Sequence, residues 1–245
     1  MSVQLFEGDC LDIMKTLPSA SVDMVLCDLP YGTSDCFWDS IIPFESLWEQ
    51  YRRIIKNNSA IILFGTQPFT THLINSNIDW FKYTLVWKKS KCGSALLAKY
   101  RPMMKHEDII IFSKNRERIY YNPIMEIGSP YTRRWTLHKN NNHGFGISGV
   151  AHRNTGTRFP GSVLDFPQKW RRQDQTHPTE KPVELLEWLI KSYSKIGDVV
   201  LDNCMGTGAT GVACVNTGRS FVGIEKDPAY FQTAKARIEK AQVGF

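Results

Sequence analysis

The chain has 245 residues, 42% of them apolar and 22% charged, with a net charge of +6 at pH 7. That length suits one large α/β domain or a domain with an insertion, and the composition is that of an ordinary globular protein rather than a disordered one. No apolar run approaches the ~20 residues of a membrane span, and the opening stretch MSVQLFEGDCLDIMK lacks the apolar centre of a signal peptide, so no membrane association and a cytoplasmic location are expected. Six cysteines form no C-x-x-C pair, which fits reduced, packed thiols.

Seven short β-branched or aromatic segments read as strands: 3–6, 22–27, 60–64, 83–87, 108–112, 199–202 and 220–224. Helical spacing of apolar residues marks 44–55 and 183–193. A further helix over 209–217 stops at Gly218, and a last one starts with Asp227 as cap and Pro228 at its first position. Strands alternating with helices predict a doubly wound, mostly parallel seven-stranded sheet. Segments 83–87 and 108–112 have no helix between them and are expected to form an antiparallel pair at one edge. Residues 114–176 differ, being rich in Asn, Gly, Arg and Tyr. From Lys114 to Arg172 there are eleven Lys and Arg against three Asp and Glu. A structureless loop of that length is improbable without a task, so it reads as an inserted binding lobe between two parts of one domain, 1–113 and 177–245.

Gly206, Gly208 and Gly211 fit G-x-G-x-x-G between a strand and a helix, and Glu225 follows 19 residues after Gly206, where an acid grips the ribose of an adenosine-containing cofactor. Only a helix remains after Glu225. The rest of the sheet must then come from the N-terminal half, a circular permutation that sets strand 3–6, with Gly8, Asp9 and Cys10 after it, beside strand 220–224 and Asp9 beside the cofactor base.

In VLCDLPYG (25–32) an apolar strand ends at Asp28 and turns through Leu29, Pro30 and Tyr31. Ligand crevices lie at such strand ends. The amino nitrogen of a nucleobase is a poor nucleophile because its lone pair is delocalised. Hydrogen bonds accepted from both its N–H groups, by the Asp28 carboxylate and the Leu29 carbonyl, localise that pair. Pro30 biases Leu29 toward an extended backbone, and Tyr31 offers a face on which an extruded base stacks.

These residues resemble the S-adenosylmethionine-dependent DNA amino-methyltransferases of the permuted β group. Asp28–Tyr31 resembles their D-P-P-Y, with Leu29 replacing the first proline. Asp202-Asn203-Cys204-Met205-Gly206-Thr207-Gly208 resembles their D-P-F-x-G-x-G, and His177-Pro178-Thr179-Glu180-Lys181-Pro182 matches their H-P-T-x-K-P. Segments 86–89 and 100–114 also resemble theirs. The resemblance implies a Rossmann-like methyltransferase fold with an inserted target-recognition lobe, and S-adenosylmethionine as cofactor. It implies cofactor contacts from Asp9, Cys10, Asp28, His177, Thr179, Lys181, Asp202, Asn203, Cys204, Met205, Gly206, Gly208, Thr210, Glu225 and Lys226, with Lys181 meeting the cofactor carboxylate.

Such an enzyme flips its target base out of double-stranded DNA. Arg133, Arg134, Arg153, Arg158, Lys169, Arg171 and Arg172 are candidates for phosphate contacts, and Asn140 and its neighbours for base edges. Phe37 and Trp38 line the pocket or pack in the core. His138, His143 and His152 lack metal-ligand spacing, so no metal is expected. The first-position aspartate favours adenine N6 over cytosine N4. Carbon-5 methylation is disfavoured because no cysteine follows a proline. An RNA or protein-glutamine methyltransferase carries the glycine turn first. A dinucleotide oxidoreductase and a DNA-binding module without catalysis are the readings from other classes. Expected partners are duplex DNA, a second copy in a homodimer, and a separate restriction endonuclease in a restriction-modification pair.

Overall fold

A computed structural model describes residues 2–32, 40–93, 95–134, 151–168 and 180–243, the side chains of 133, 134, 151 and 152 excepted. In chain order the elements are β1 (Val3–Glu7), α1 (Cys10–Thr16), β2 (Val22–Cys27), α2 (Phe44–Ile54), β3 (Ile55–Gly65), α3 (Phe69–Ser76), β4 (Phe81–Gly93), a 3-10 turn (Ala95–Leu97), β5 (Met104–Phe112), β6 (Glu126–Ile127), β7 (Tyr131–Arg134), β8 (Ala151–Asn154), β9 (Thr157–Arg158), β10 (Val163–Asp165), α4 (Val183–Tyr193), β11 (Val199–Asp202), α5 (Ala209–Thr217), β12 (Ser220–Glu225) and α6 (Pro228–Val243). Two compact units result, Met1–Asn122 with Ser162–Phe245, and Pro123–Gly161.

The first unit is built on an eight-stranded sheet in the order β1-β12-β11-β2-β3-β5-β4-β10. Every strand runs the same way except β5, which is antiparallel to both β3 and β4. The permutation expected from the sequence is present, since β1 pairs in parallel with β12 from Val3↔Phe221 to Glu7↔Glu225. One expectation is corrected. β4 and β5 pair antiparallel but do not form the edge, because β10, from the stretch assigned to the insertion, adds an eighth strand beside β4. Trp87 fixes this strand by donating its indole N–H to the Phe166 carbonyl at 2.9 Å.

Alternation along the strands supplies two cores, because successive side chains point to opposite faces. Met24, Leu26, Ile62, Phe64, Ile109 and Ile111 face α4, α5 and α6. Val25, Cys27, Ile61, Leu63, Ile110 and Phe112 face α1, α2 and α3. Burying strands on both faces explains why they read as continuous apolar runs. Two helices escape periodicity. α1 is seven residues long and starts on the Asp9 cap, whose carboxylate accepts from Leu11 N at 2.9 Å. α3 is eight residues of mixed polarity. The caps expected of the last two helices are present. Asp227 Oδ1 accepts from Ala229 N and Tyr230 N, and Gly218 ends α5 at φ +78°. Among the described residues no helix is long and apolar enough to cross a membrane.

The second unit holds two small antiparallel ribbons, β6 with β9 and β7 with β8. Its Arg158 guanidinium lies 5.2 Å from the centre of the Tyr131 ring and donates to the Ser129 carbonyl at 2.9 Å. The unit is narrower than the 114–176 insertion, since Asn122 N bonds the Ser192 carbonyl of the first unit and β10 joins the main sheet.

Candidate active site

β2 and β11 are neighbours in the sheet, paired at Val200↔Met24 and Leu201↔Val25. Asp28 and the glycine turn therefore leave the same edge of the sheet from adjacent strands. Far apart in sequence, they meet at one place, where open α/β sheets bind ligands.

At the end of β2 the Asp28 carboxylate is one-third exposed. Its Oδ1 accepts from Tyr31 Oη at 2.6 Å and its Oδ2 from Lys181 Nζ at 2.5 Å. Each oxygen keeps a further lone pair for an incoming donor. The Tyr31 ring packs on Phe69, with centroids 4.9 Å apart. Burial and the Asp28 charge push the Tyr31 phenol well above its usual pKa, so it stays a hydrogen-bond donor. Leu29, where relatives of the resembled pattern have proline, is buried in the core between sheet and α1–α3. The change exchanges a ring for packed apolar surface.

Lys181 is 6% exposed and lies between two carboxylates, Asp28 and, at 3.1 Å, Glu107 Oε2. Its ammonium also stands 5.0 Å from the Phe64 ring centre. Burial works against the charged lysine, yet the two carboxylates outweigh it and raise its pKa. Glu107 opens the apolar run of β5 and pairs its other oxygen with Lys89. Burial alone would raise the Glu107 pKa; Lys181 and Lys89 bring it below the usual value. The Lys181 ammonium thus holds two protein carboxylates, which occupy two of its three N–H donors.

The residue before it, Glu180, reaches the other motif. Its carboxylate accepts from Thr207 Oγ1 at 3.1 Å and from Arg237 at 2.6 and 3.1 Å, while Arg237 also donates to the Thr207 carbonyl at 2.8 Å. The Glu180-Lys181 dipeptide therefore ties the glycine turn to Asp28. Glu107, Glu180 and Arg237 were not singled out from the sequence. The pair of acids Glu107-Asp108 ahead of the apolar run 109–112 was the available signal for Glu107; isolated charges in helices carry none for Arg237.

The turn itself is set by its backbone N–H groups and two carboxylates. Met205 N bonds the Ile224 carbonyl at 2.9 Å. Glu225 accepts from Gly206 N and from Asp227 N, both at 2.8 Å. Asp202 is buried and accepts from Cys204 N at 3.1 Å and from the Thr210 hydroxyl; burial pushes its pKa up to about 6. Asn203 is buried and accepts from Tyr51 Oη at 2.5 Å. Beneath lie the Cys10, Cys27 and Cys204 thiols, which interact with one another. Hydrogen bonding to Cys204 and burial raise Cys10 far above its usual pKa, and burial lifts Cys27 to about 12, so neither is a ready thiolate. At the next strand end, Asp9 caps α1 and lies 3.9 Å from Lys226 Nζ.

The three glycines differ. A Cβ on Gly208 would stand 2.9 Å from Ala234 Cβ, and one on Gly211 2.3 Å from Ile238, so both permit α5 to pack on α6. A Cβ on Gly206 would meet no atom within 4 Å, and its φ is +52°.

Of the other predicted residues, Arg153 and Arg158 are exposed in the second unit. Phe37, Trp38, His138, Asn140, His143, Lys169, Arg171, Arg172, His177 and Thr179 lie outside the described residues, as do the side chains of Arg133, Arg134 and His152. Among the described residues no group of three or more His, Cys, Asp or Glu side chains is placed to hold a metal.

A family model described as DNA methylase, that of the N6 and N4 methyltransferases, matches residues 22–236. The chain belongs to this family. The DNA adenine methyltransferase YhdJ of Escherichia coli (strain K12) is 28% identical over 260 residues, covering 97% of this chain and 83% of YhdJ. The Type II methyltransferase M.HpaI of Haemophilus parainfluenzae is 27% identical over 258 residues, covering 100% and 77%. Among solved structures, the M1.HpyAVI–SAM complex aligns with a TM-score of 0.66 at 22% identity, covering 96% of this chain and 98% of the other. The cytosine-N4-specific PvuII DNA methyltransferase aligns at 0.70 and 15%, covering 99% and 91%. Both show that this DNA methylase shares their α/β fold.

Proposed function

We propose that this DNA methylase transfers a methyl group from S-adenosylmethionine to the exocyclic amino group of a base extruded from duplex DNA, and that the base is adenine, methylated at N6. The observation that carries the reading is the junction of the two motifs at one sheet edge, with Asp28 and the Gly206 turn joined through Glu180-Lys181.

The turn suits an adenosine-containing ligand. Open space over Gly206 lets a ligand approach the backbone, and Glu225, which accepts from the backbone of Gly206, Asp227 and Lys226, is a fixed carboxylate beside it for a hydroxyl donor. Asp9 and Cys10 at the end of β1, with Asn203, Cys204 and Met205 on the turn, would complete the cradle. Bound there, the cofactor supplies a sulfonium methyl group for direct transfer.

The chain's own part is placement. Asp28 accepts an N–H of the target amino group and localises its lone pair. Tyr31 and Lys181 fix the carboxylate in one orientation by occupying one lone pair on each oxygen. Lys181 stays charged, so it takes no proton from the methylated amine; that proton leaves over the exposed face of Asp28. Glu107 is a positioning residue that acts through Lys181. The second unit, with Arg153 exposed, is assigned to target recognition, and a basic surface suits phosphate contacts. An aspartate heading the tetrapeptide and the similarity to an adenine methyltransferase support adenine over cytosine.

The test incubates the full chain with labelled methyl donor and phage DNA, then digests the DNA to nucleosides. Labelled N6-methyldeoxyadenosine is expected. Label in N4-methyldeoxycytidine overturns the choice of base, and label accepted by transfer RNA but not DNA overturns the substrate. Asp28→Ala lowers turnover by about 10²–10³-fold or more while cofactor affinity stays within about tenfold.

A further inference from the structure

β4 and β5 form a hairpin whose tip is apolar at the surface. Leu96 is 96% exposed, Tyr100 84%, Met103 44% and Leu97 41%. Soluble proteins rarely leave so many large apolar side chains together without a partner. The tip is also basic. Four Lys and Arg residues lie between positions 91 and 105, with no Asp or Glu among them.

The hairpin's direction is set by the sheet. β5 runs against β3, with Gly65↔Asp108, so its first residues extend past the carboxyl end of β3. This is the edge that carries Asp28. Glu107 anchors the hairpin there through Lys181, which holds Asp28 Oδ2 at 2.5 Å. From Glu107 back to Met104, where the tip begins, is three residues of strand, about 10 Å.

We propose that this tip enters duplex DNA beside the target base, with Lys99 and Arg101 on phosphates and Leu96 and Tyr100 wedged into the stack that the base has left. The inference rests on the methyltransferase reading above and adds a DNA contact outside the Pro123–Gly161 unit. Charge decides the occupant. A second copy of this basic chain would bring like charge against like, whereas a polyanion neutralises it. Apolar wedges flanked by basic residues are how proteins hold a duplex open at a base step.

Two double variants of the full chain test it. Affinity for a labelled duplex, with S-adenosylhomocysteine present, is followed by anisotropy across about 50–200 mM salt. Lys99→Gln with Arg101→Gln reduces the log–log salt slope by roughly 1.8, since each phosphate contact contributes about 0.9. Leu96→Ser with Tyr100→Ser keeps the slope but lowers turnover on phage DNA roughly tenfold. An unchanged slope in the first variant, or unchanged turnover in the second, overturns the proposal. So does sedimentation showing that the second variant turns a dimer into a monomer while methylating DNA as the wild type does. A wild-type chain that transfers no methyl group to DNA sinks the function reading itself.

Discussion

At the carboxyl end of β11 the chain is held through its backbone N–H groups, which donate to the Ile224 carbonyl and to the Glu225 and Asp202 carboxylates. Met205 N, Gly206 N and Cys204 N all have fixed partners, and α5 closes on α6 over Gly208 and Gly211. One strand away, at the end of β2, Asp28 is held by side chains alone, through Tyr31, Lys181 and, behind it, Glu107. A turn whose donors are backbone N–H groups keeps those donors whatever side chain replaces its own. A charge-built one fails when any member of the chain of charges is removed, because buried ions left without partners are costly. The cofactor half of the site is thus held by backbone donors and close helix packing, and the catalytic half by paired charges.

The largest effect expected of this difference is at Lys181. Lys181→Met removes the cation between Asp28 and Glu107 and costs about 3–5 kcal/mol of stability, read as a fall in the urea midpoint. Glu107→Gln is gentler. It leaves Lys181 paired with Asp28, and turnover falls with cofactor affinity nearly unchanged. The Glu107 carboxyl has a lowered folded pKa, so its stabilisation is present above the usual carboxylate pKa and is lost as pH falls through the folded value. The glutamine variant should lack that acid-side loss. Equal acid sensitivity in both proteins would show that the charge chain does not hold this end.

Seven of the twelve described strands, four of the six described helices and both motifs were legible because each rests on local pattern: apolar runs, caps and glycine spacing. The Glu107-Lys181-Asp28 chain was not, since its members come from β5, from the approach to α4 and from the end of β2, and only the sheet brings them together. Lys181 was picked out by its motif, but its two carboxylate partners were not foreseen for the same reason. β10 was missed because three residues give no period; its pairing is decided by β4 and by Trp87.

A smaller effect separates the two halves by pH. Asp202 is buried under the turn, with its pKa raised from 3.8 to about 6. For an acid raised on folding, the sign is the reverse of that for Glu107. Ionisation opposes folding, so stability falls as pH rises from about 4 to about 6 and is flat beyond. A shift of about two units corresponds to about 3 kcal/mol. Asp202→Asn should flatten the curve over that interval and gain stability at neutral pH, provided the amide oxygen still accepts from Cys204 N. Chemical denaturation at several pH values gives the difference directly, and a variant whose stability tracks the wild type at every pH would rule out Asp202 as the titrating group.

The finest contrast lies within the turn, between two glycines separated by one residue. Both have positive φ, +52° at Gly206 and +81° at Gly208, so alanine at either pays a left-handed penalty of about 1 kcal/mol. At Gly208 the new Cβ also meets Ala234 Cβ at 2.9 Å and its Cα at 3.0 Å, and backbone cannot swing aside as a side chain can. Gly208→Ala should therefore cost about 2 kcal/mol in total. Gly206→Ala meets nothing and should cost only the first part. Cofactor affinity should rank them the other way, because a methyl group on Gly206 fills the space through which a ligand reaches the backbone. Calorimetry of S-adenosylmethionine binding beside thermal melts of the two variants decides it. If Gly206→Ala melts near the wild type yet binds the cofactor as well, the open face of the turn is not where the cofactor lies.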